Sequence, residues 1–391
     1  MNKTLNHKVH ETVRWLRKSW QKCSSLHRFV AFSTGKDSLA LAAMLYEAVG
    51  EEQPPCLYVH HDLEFPLNLE YVHLVRGRKG FNIQILRPHL EYFELMNRGM
   101  GFITLKEPWC IPLLIGTGLA DWLRHEGAGS TREAIMFRGM SGSEFSHSLH
   151  RRLELYKHLD MPCFNPMLQF STDEIIDISK KRYGLPINPI YEHMSRSYCI
   201  CCYTSDTRRQ AYSKRHFPHV CRRYYGQIDN LLFKSGLIER AHLDEKFKTK
   251  EEKLSKHGFI HWKRLPEQVE VAALRHQLPS GALVYLIKDE SLISEKHLMP
   301  LQGRWHREGN EIRFWDVAQR DSDIVIRRML NCIDCGFCMI ECFRYKRFDR
   351  KKKILQIEGC TQCGKCLRLA FCMGWKHRFW RRDIRSIPDG R

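Results

Sequence analysis

Short apolar runs alternate with longer stretches of helical spacing in the first half of the chain. Four apolar runs are expected as strands, at residues 29–32, 56–60, 82–86 and 134–138. The helical stretches lie at residues 38–48, 68–79, 111–125 and 144–157. Strands that alternate with helices form a parallel sheet covered by helices on both faces. The pattern therefore predicts an α/β domain in the first half of the chain.

One more helix is predicted near the end of this domain. Ser171 and Glu174 have the spacing of a capping box, which marks a helix N-terminus. Gly184, followed by Leu185-Pro186, is typical of a helix end. The domain is expected to extend over residues 1–225.

The pattern weakens in the middle of the chain. Residues 243–256 are highly charged and predict a solvated helix or a linker. Residues 281–318 resemble short strands joined by turns, with turn signals at Gly303 and Gly309-Asn310. A linker and a small mixed α/β domain are therefore expected over residues 226–325.

Charge and cysteine content distinguish the C-terminus from the rest of the chain. The 391 residues carry a net charge of +19 and include 16 cysteines. Residues 326–391 hold 17 Lys or Arg against 6 Asp or Glu, a balance of +11. Eight cysteines fall between Cys332 and Cys372. We therefore expect a separate module at residues 326–375, followed by a basic tail at 376–391.

The sequence shows no sign of a membrane or secretory protein. No apolar run follows Met1, and no stretch approaches the roughly 18 apolar residues of a spanning helix. A soluble, cytoplasmic protein is expected. In that reducing compartment, many cysteines indicate metal binding or catalysis rather than disulfides.

The join between the first strand and the first helix carries small polar residues. It reads Ser33-Thr34-Gly35-Lys36-Asp37-Ser38. A helix N-terminus attracts anions, the glycine allows close approach, and Lys36 and the hydroxyl groups add charge and donors. The segment predicts a phosphate-binding loop, but not a Walker A loop, because GxxxxGK[ST] is absent. An ordinary helix capped by Ser or Thr is the alternative.

The segment resembles the PP-loop of the ATP pyrophosphatase superfamily, especially its PAPS reductase branch. Further elements of that branch follow in order over residues 28–205. They are His61-Asp62-Leu63-Glu64-Phe65-Pro66, similar to D-T-G-x-E-F-P; Lys106-Glu107-Pro108-Trp109-Cys110, similar to R-W-C-T; Phe137-Arg138-Gly139-Met140 with Glu144-Phe145-Ser146; and Asn165-Pro166 leading to Gly184-Leu185-Pro186-Ile187-Asn188-Pro189. The resemblance implies a Rossmann-like fold that binds ATP and Mg²⁺.

The resemblance also implies roles for individual residues. The loop from Ser33 to Ser38 would hold the phosphates, and Lys36 and Asp37 would take part in catalysis. Outside the loop, Asp62 would contact Mg²⁺ or the ribose. Arg138 and Gly139 would lie near the nucleotide.

Cysteines of the first domain match positions at which members of the superfamily bind a [4Fe–4S] cluster. They are Cys110, Cys199 and Cys202. Thiolates suit iron–sulfur chemistry, and three ligands would leave one iron open to carry sulfur. Cys201 or Cys221 would otherwise complete the site. A persulfide on one cysteine, or buried inert thiols, are the alternatives.

The C-terminal cysteines form two similar runs. They are Cys332-x2-Cys335-x2-Cys338-x3-Cys342 and Cys360-x2-Cys363-x2-Cys366-x5-Cys372. Both resemble the bacterial ferredoxin pattern, in which each run supplies three ligands to one cluster and a fourth to the other. The resemblance implies a ferredoxin-like domain with two [4Fe–4S] clusters that carry electrons. A pair of zinc sites is the alternative.

The basic residues of this module alternate with aromatic ones. The run from Arg344 to Lys353 reads RYKRFDRKKK, and the tail includes WKHRFWRRDIR. Such surfaces often bind nucleic acid. The charge would alternatively compensate the clusters or dock an acidic redox partner.

These features together suggest ATP-dependent sulfur transfer to nucleic acid. The chain looks most similar to the ATP pyrophosphatases of DNA phosphorothioation systems, with tRNA thiolation as a near variant. That scheme implies a cysteine desulfurase, other subunits of the modification system and an electron donor as partners, and no membrane. The alternative is a ferredoxin-fused PAPS or APS reductase, against which the absence of the family's E-C-G-x-H motif counts. Ser141 also replaces the usual arginine of the family's loop.

Overall fold

A computed structural model defines two compact units in the chain. Unit 1 comprises Met1–Pro88 and Leu114–Gly226, and unit 2 comprises His89–Leu113 and Gln227–Arg391. Among the helices that the structure describes, none combines the length and the apolar composition of a membrane-spanning segment. The structure describes residues 1, 3–52, 54–101, 103, 109–142, 153–156, 159–194, 197, 199–200, 207–234, 268–339, 342, 346–358, 360–362 and 380–387.

Unit 1 contains helices that alternate with the strands of one sheet. Its helices are α1 (Lys3–Lys22), α2 (Lys36–Val49), α3 (Pro66–Lys79), α5 (Thr117–His125), α6 (Thr172–Asp177) and α7 (Thr207–His216). Helix α4 (Tyr92–Asn97) belongs to unit 2, and α8 (Pro218–Lys234) spans the boundary along the chain. The strands are β1 (His27–Ala31), β2 (Cys56–Val59), β3 (Ile83–Leu86), β4 (Ala134–Arg138), β5 (Leu153–Tyr156) and β6 (Met161–Phe164).

The described strands of unit 1 confirm the predicted parallel sheet. Their order is β3-β2-β1-β4-β6-β5, and every neighbouring pair is parallel except β5 and β6. β1 lies between β2 and β4, with Val30 opposite Cys56 and Ala31 opposite Arg138. The loop that follows β1 therefore lies at the carboxyl edge, where ligands of open α/β sheets bind.

Helices cover both faces of this sheet, as predicted. Val30 and Phe32 belong to an apolar core that includes residues of α1 and α2. On the opposite face, the rings of Phe29 and Trp122 of α5 meet edge to face with centroids 5.5 Å apart. The alternation of side chains along β1 places Phe29 and Val30 on different faces.

Local signals in the sequence mark some boundaries correctly and miss others. The capping box at α6 is present, because the Ser171 side chain accepts from the Glu174 backbone and Glu174 accepts from the Ser171 backbone. Gly184 has a φ of +60° beyond the π-helical stretch Ile178–Arg182. The helix predicted at 144–157 is wrong in its last part, because Leu153–Tyr156 forms β5; the preceding residues, 144–152, lie outside the described residues.

Unit 2 contains a mainly antiparallel sheet. The strands are β7 (Gln268–Gln277), β8 (Leu283–Ile287), β9 (Trp305–Glu308), β10 (Glu311–Phe314) and β13 (Trp380–Ser386), in the order β13-β7-β8-β10-β9. The expected short strands within 281–318 are present, and Gly303 and Gly309 have positive φ at turns. The predicted charged segment 243–256 lies outside the described residues.

Helix α9 (Gln319–Asn331) connects this sheet to the first cysteine run. Its buried residues pack with the sheet in one apolar cluster that includes Val325 and Ile326. Asn331 fixes the edge strand, since its side chain accepts from Arg382 N at 2.9 Å and donates to Arg382 O at 2.7 Å. Residues 376–391, which the sequence suggested as a basic tail, thus include the ordered strand β13.

A small hairpin lies between the two cysteine runs. It consists of β11 (Lys346–Asp349) and β12 (Ile354–Ile357), which pair antiparallel. Much of the second cysteine run, residues 363–379, lies outside the described residues. The ferredoxin-like fold of this module stays a prediction.

Candidate functional site

The predicted phosphate loop is closed by its own polar side chains. Ser38 Oγ donates to Gly35 O at 2.9 Å and accepts from Ser33 N at 3.3 Å. Thr34 is fully buried and has a φ of +61°. Since branched side chains rarely adopt this left-handed region, the loop holds Thr34 in a strained conformation. Gly35, which the sequence suggested would allow an anion to approach closely, has an extended backbone, with φ −74° and ψ 155°.

Gly35 provides space beside three hydroxyl groups. A Cβ on Gly35 would lie 3.3 Å from Ser33 Oγ, 3.4 Å from Tyr191 OH and 3.5 Å from Ser197 Oγ. Tyr191 OH also accepts a hydrogen bond from Lys36 N at 3.2 Å. Sequence reasoning missed Tyr191 and Ser197. The available signal was the Asn188-Pro189 element, which leads into the short helix that carries Tyr191.

Lys36 and Asp37 form a buried ion pair at the N-terminus of α2. Lys36 Nζ lies 2.8 Å from Asp37 Oδ2, and the two residues are 8% and 7% exposed. Asp37 Oδ1 and Thr34 Oγ1 are buried without a hydrogen-bond partner among the described residues. Buried polar atoms are normally hydrogen-bonded, so these two atoms suit a polar ligand. A hydroxyl donor suits a phosphate oxygen, and a carboxylate oxygen suits Mg²⁺.

The end of β4 lies directly against this loop. A Cβ on Gly139 would lie 2.5 Å from both Asp37 C and Ser38 N, distances that real Cβ atoms do not reach. Only glycine therefore fits at this position without a backbone shift. Arg138, partly buried, donates from Nε to Asn165 Oδ1 at 3.0 Å. Gly139 thus lies beside the loop, and Arg138 precedes it at the end of the neighbouring strand.

The other residues predicted for the first domain lie on separate segments of the chain. Asp62 lies in the turn after β2 and is partly exposed. Cys199 is in unit 1, Cys110 is in unit 2 just before the π-helical turn Ile111–Gly116, and Cys202 lies outside the described residues.

Cys199 lies beside two side chains that sequence reasoning did not assign. Its Sγ is 3.6 Å from His61 Nε2 and 4.0 Å from Glu64 Oε1. His61 Nε2 and Glu64 Oε1 are 3.3 Å apart. Burial raises the pKa of nearby Tyr58, and the charges of Glu64 and Cys199 raise it further, so the phenol stays protonated. The residues His61, Glu64 and Cys199 are called the mixed-ligand group below.

The first cysteine run of unit 2 lines a pocket. Cys332, Cys335 and Cys338 all contribute to its wall. The backbone turns sharply between them, with φ of +51° at Asp334 and +74° at Gly336. Asp334 N lies 3.3 Å from Cys332 Sγ and donates to it. Three thiols around one pocket, with a backbone N–H directed at sulfur, suit a cluster ligand set.

Two further observations concern the same module. Gln362, two residues after Cys360, has a φ of +54°. Asp334 is also two residues after the first cysteine of its run, so the two runs share a positive φ at the same position. Cys342 and Cys360 are partly buried, whereas Cys363, Cys366 and Cys372 lie outside the described residues.

Cationic side chains line the pocket beside the thiols. They are Lys296, Arg328 and Lys346. Lys346 is only 6% exposed. Cations at this position suit an anionic occupant, such as a cluster with its thiolate ligands.

Comparisons with known proteins give matches to solved structures alone. No protein-family model and no curated protein matches the chain. A PAPS reductase from Candida auris matches at 10% identity and TM-score 0.36, over 50% of this chain and 95% of that one. An FMN adenylyltransferase from Candida glabrata matches at 14% identity and TM-score 0.35, over 49% of this chain and 61% of that one. An NH3-dependent NAD synthetase from Campylobacter jejuni matches at 14% identity and TM-score 0.32, over 57% of this chain and 96% of that one. At this level of similarity, function must be argued from the residues of the site.

Proposed function

We propose that the chain is an ATP pyrophosphatase that transfers sulfur to nucleic acid. The observation that carries this proposal is the loop after β1, where Lys36 is buried beside Asp37. Asp37 Oδ1 and Thr34 Oγ1 point to a polar ligand, because both are buried without a partner among the described residues. A helix N-terminus at the carboxyl edge of a parallel sheet is a place where phosphates bind.

The loop residues would bind and orient the triphosphate. Lys36 would stabilise the negative charge that develops when pyrophosphate leaves, and Asp37 and Asp62 would hold Mg²⁺. The acceptor phosphate oxygen attacks the α-phosphorus, the bond to the β-phosphate breaks, and pyrophosphate departs. A sulfur nucleophile then attacks the adenylylated acceptor phosphorus, and AMP leaves with the oxygen.

The electron requirement gives the cysteine module a role. We assign one [4Fe–4S] cluster to each run, with the thiols of Cys332, Cys335 and Cys338 holding the first. When the sulfur donor is a persulfide, its terminal sulfur bonds to the acceptor phosphorus and stays joined to the donor through the S–S bond. Two electrons are needed to cleave that bond, and bound clusters would supply them one at a time. The donor would be a cysteine desulfurase, together with an electron donor and other subunits of the modification system.

The tip of the β11–β12 hairpin supports nucleic acid as the acceptor. Arg350, Lys351 and Lys352 are exposed there. Asp349 Oδ1 fixes the turn by accepting from Lys351 N and Lys352 N, both at 2.9 Å. Exposed basic residues on a fixed turn suit contacts with a phosphate backbone. We favour DNA phosphorothioation, with tRNA thiolation as the variant of the same chemistry.

The proposal is tested by ATP turnover of the purified full-length protein with a sulfur donor and nucleic acid. Lys36→Ala should lower AMP and pyrophosphate formation by about 100-fold or more, because charge stabilisation of the leaving group is lost. Lys18→Ala, which removes an exposed lysine of α1, should leave turnover unchanged.

Folding is checked in the same samples. Removing Lys36 leaves Asp37 as an unpaired buried charge, so unfolding by denaturant is measured for each variant. Asp37→Asn keeps the shape of the side chain and provides a second test. Unchanged turnover in Lys36→Ala would contradict the loop assignment. Release of sulfite from PAPS or APS instead would identify a sulfonucleotide reductase.

A further inference from the structure

The mixed-ligand group has the spacing of a metal site. Its ligand atoms His61 Nε2, Glu64 Oε1 and Cys199 Sγ all lie within 4.8 Å of one another. A tetrahedral zinc ion, with about 2.0–2.3 Å to each ligand, separates S and N by about 3.6 Å, S and O by about 3.6 Å, and N and O by about 3.4 Å. The corresponding distances here are 3.6, 4.0 and 3.3 Å.

The backbone holds the three side chains together without a metal. Glu64 N donates to His61 O at 3.0 Å, so these two residues share one tight turn after β2. Ile200 N donates to Leu63 O at 2.8 Å, which fixes the Cys199 segment against that turn. His61 is 3% exposed, so the imidazole is oriented by its surroundings. A site of this kind is preorganised by the fold.

A second layer of buried amides orients the carboxylate. Asn68 Nδ2 donates to Glu64 Oε2 at 2.7 Å, which leaves Oε1 directed at His61 and Cys199. Asn188 Nδ2 donates to Asn68 Oδ1 at 2.9 Å and also lies 3.3 Å from Thr34 O in the phosphate loop. Asn68 and Asn188 are 0% and 2% exposed. Metal ligands are commonly held by such partners, and here those partners also connect the group to the phosphate loop.

One contact opposes metal binding. Leu63 N donates to His61 Nδ1 at 3.3 Å, which favours the tautomer with its proton on Nε2. Metal binding at Nε2 moves that proton to Nδ1, so this long hydrogen bond must be given up. The loss lowers affinity for the metal but leaves the ligand geometry intact.

We propose that His61, Glu64 and Cys199 bind one divalent metal ion of the zinc class. Imidazole, carboxylate and thiolate together suit zinc rather than magnesium or calcium, which prefer oxygen ligands. Three protein ligands leave a fourth position for water or a substrate atom, which is the pattern of catalytic zinc sites. The site is independent of the sulfur transfer proposed above.

The proposal gives Cys199 a different role from the iron–sulfur ligand that the sequence suggested. One thiolate in this group cannot complete a zinc site with His61 and at the same time ligate a cluster with Cys202. The metal that depends on Cys199 therefore decides between the two assignments.

The experiment measures zinc and iron in the full-length protein after anaerobic purification and equilibration with Zn²⁺ alone. Wild type should contain about one zinc ion more per chain than either Cys199→Ser or Glu64→Gln, with equal iron in all three. Controls are Cys23→Ser and His60→Ala, which change a cysteine and a histidine of the same unit outside the group. Both should keep the full zinc content.

Cobalt substitution provides a readout that folding alone would not produce. Wild type equilibrated with Co²⁺ should show a thiolate-to-cobalt absorption component that is missing from Cys199→Ser and retained in Cys23→Ser. Asn68→Ala should weaken metal affinity by about 10- to 100-fold while keeping this spectrum at saturation, because it removes an orienting partner and not a ligand.

Three results would overturn the proposal. The first is equal zinc in wild type and Cys199→Ser, which would place all bound zinc elsewhere. The second is loss of iron, rather than zinc, in Cys199→Ser, which would make Cys199 a cluster ligand. The third is zinc loss in His60→Ala equal to that in Glu64→Gln. None of these results changes the prediction for ATP turnover, so the proposed function is tested by a separate experiment.

Discussion

The contact between Gly139 and the phosphate loop allows a quantitative test of the site geometry. Gly139→Ala would place a Cβ 2.5 Å from Asp37 C and Ser38 N and 2.6 Å from Asp37 O. Carbon atoms in contact prefer separations of about 3.5 Å, so one of the two backbone segments must move by about 1 Å. All three atoms belong to the backbone, and a side-chain rotation therefore cannot relieve the overlap.

This displacement should affect stability and activity together. Overpacking of a fixed site costs about 1–3 kcal/mol, measured as a lower free energy of unfolding in denaturant. A misplacement of about 1 Å in a catalytic arrangement lowers rates by about 100-fold. We therefore expect kcat/KM for ATP, measured by pyrophosphate release, to fall by about two orders of magnitude.

Gly77→Ala is the matched control. Gly77 lies within α3 of the same unit, and a Cβ there would meet no atom within 4 Å. Alanine in a helix interior should raise the free energy of unfolding by about 0.5–1 kcal/mol and leave turnover unchanged. If Gly139→Ala binds and turns over ATP like wild type and unfolds at the same denaturant concentration, Gly139 does not pack against the phosphate loop as described.

Three further predictions concern the cysteines and the C-terminal module. Cys56 is fully buried, and burial raises the pKa of its thiol, so iodoacetamide at neutral pH should leave it unmodified in the native protein; peptide mass spectrometry that finds rapid labelling would contradict its place in the core. The C-terminal module should hold about 8 iron atoms per chain, and zinc in their place would rule out electron transfer. Gly336→Ala should lower this iron content, because Gly336 has a φ of +74° and an added Cβ would overlap the His89 ring.

The sequence predicted the parts of the fold that local pattern determines. The apolar runs at 56–60 and 134–138 correspond to β2 and β4, because strands buried on both faces leave continuous apolar stretches. The long amphipathic helix α1 was missed, although its buried residues Leu5, Val9 and Leu16 follow helical spacing. Strand β13 was also missed, since only pairing with the distant β7 makes its polar sequence a strand.

The candidate site likewise combines residues that a local pattern indicates with residues that only the folded chain brings together. Contiguous residues such as Lys36 and Asp37 could be proposed from the sequence because the loop that carries them is one short segment. Tyr191 joins that loop across 155 residues, and Cys199 meets His61 across 138, so neither contact leaves a local pattern. The left-handed backbone of Thr34 also leaves no local pattern, because nothing in the loop sequence marks a threonine for that conformation.

Mass spectrometry of nuclease-digested DNA and RNA would detect ATP-dependent sulfur transfer to nucleic acid in the cell. The samples come from cells with the wild-type protein, with Lys36→Ala, and without the protein. We expect sulfur-containing dinucleotides in DNA that require the wild-type loop, or thionucleosides in RNA with the same requirement if tRNA is the acceptor. If neither the DNA nor the RNA differs in sulfur content among the three samples, the protein does not transfer sulfur to nucleic acid.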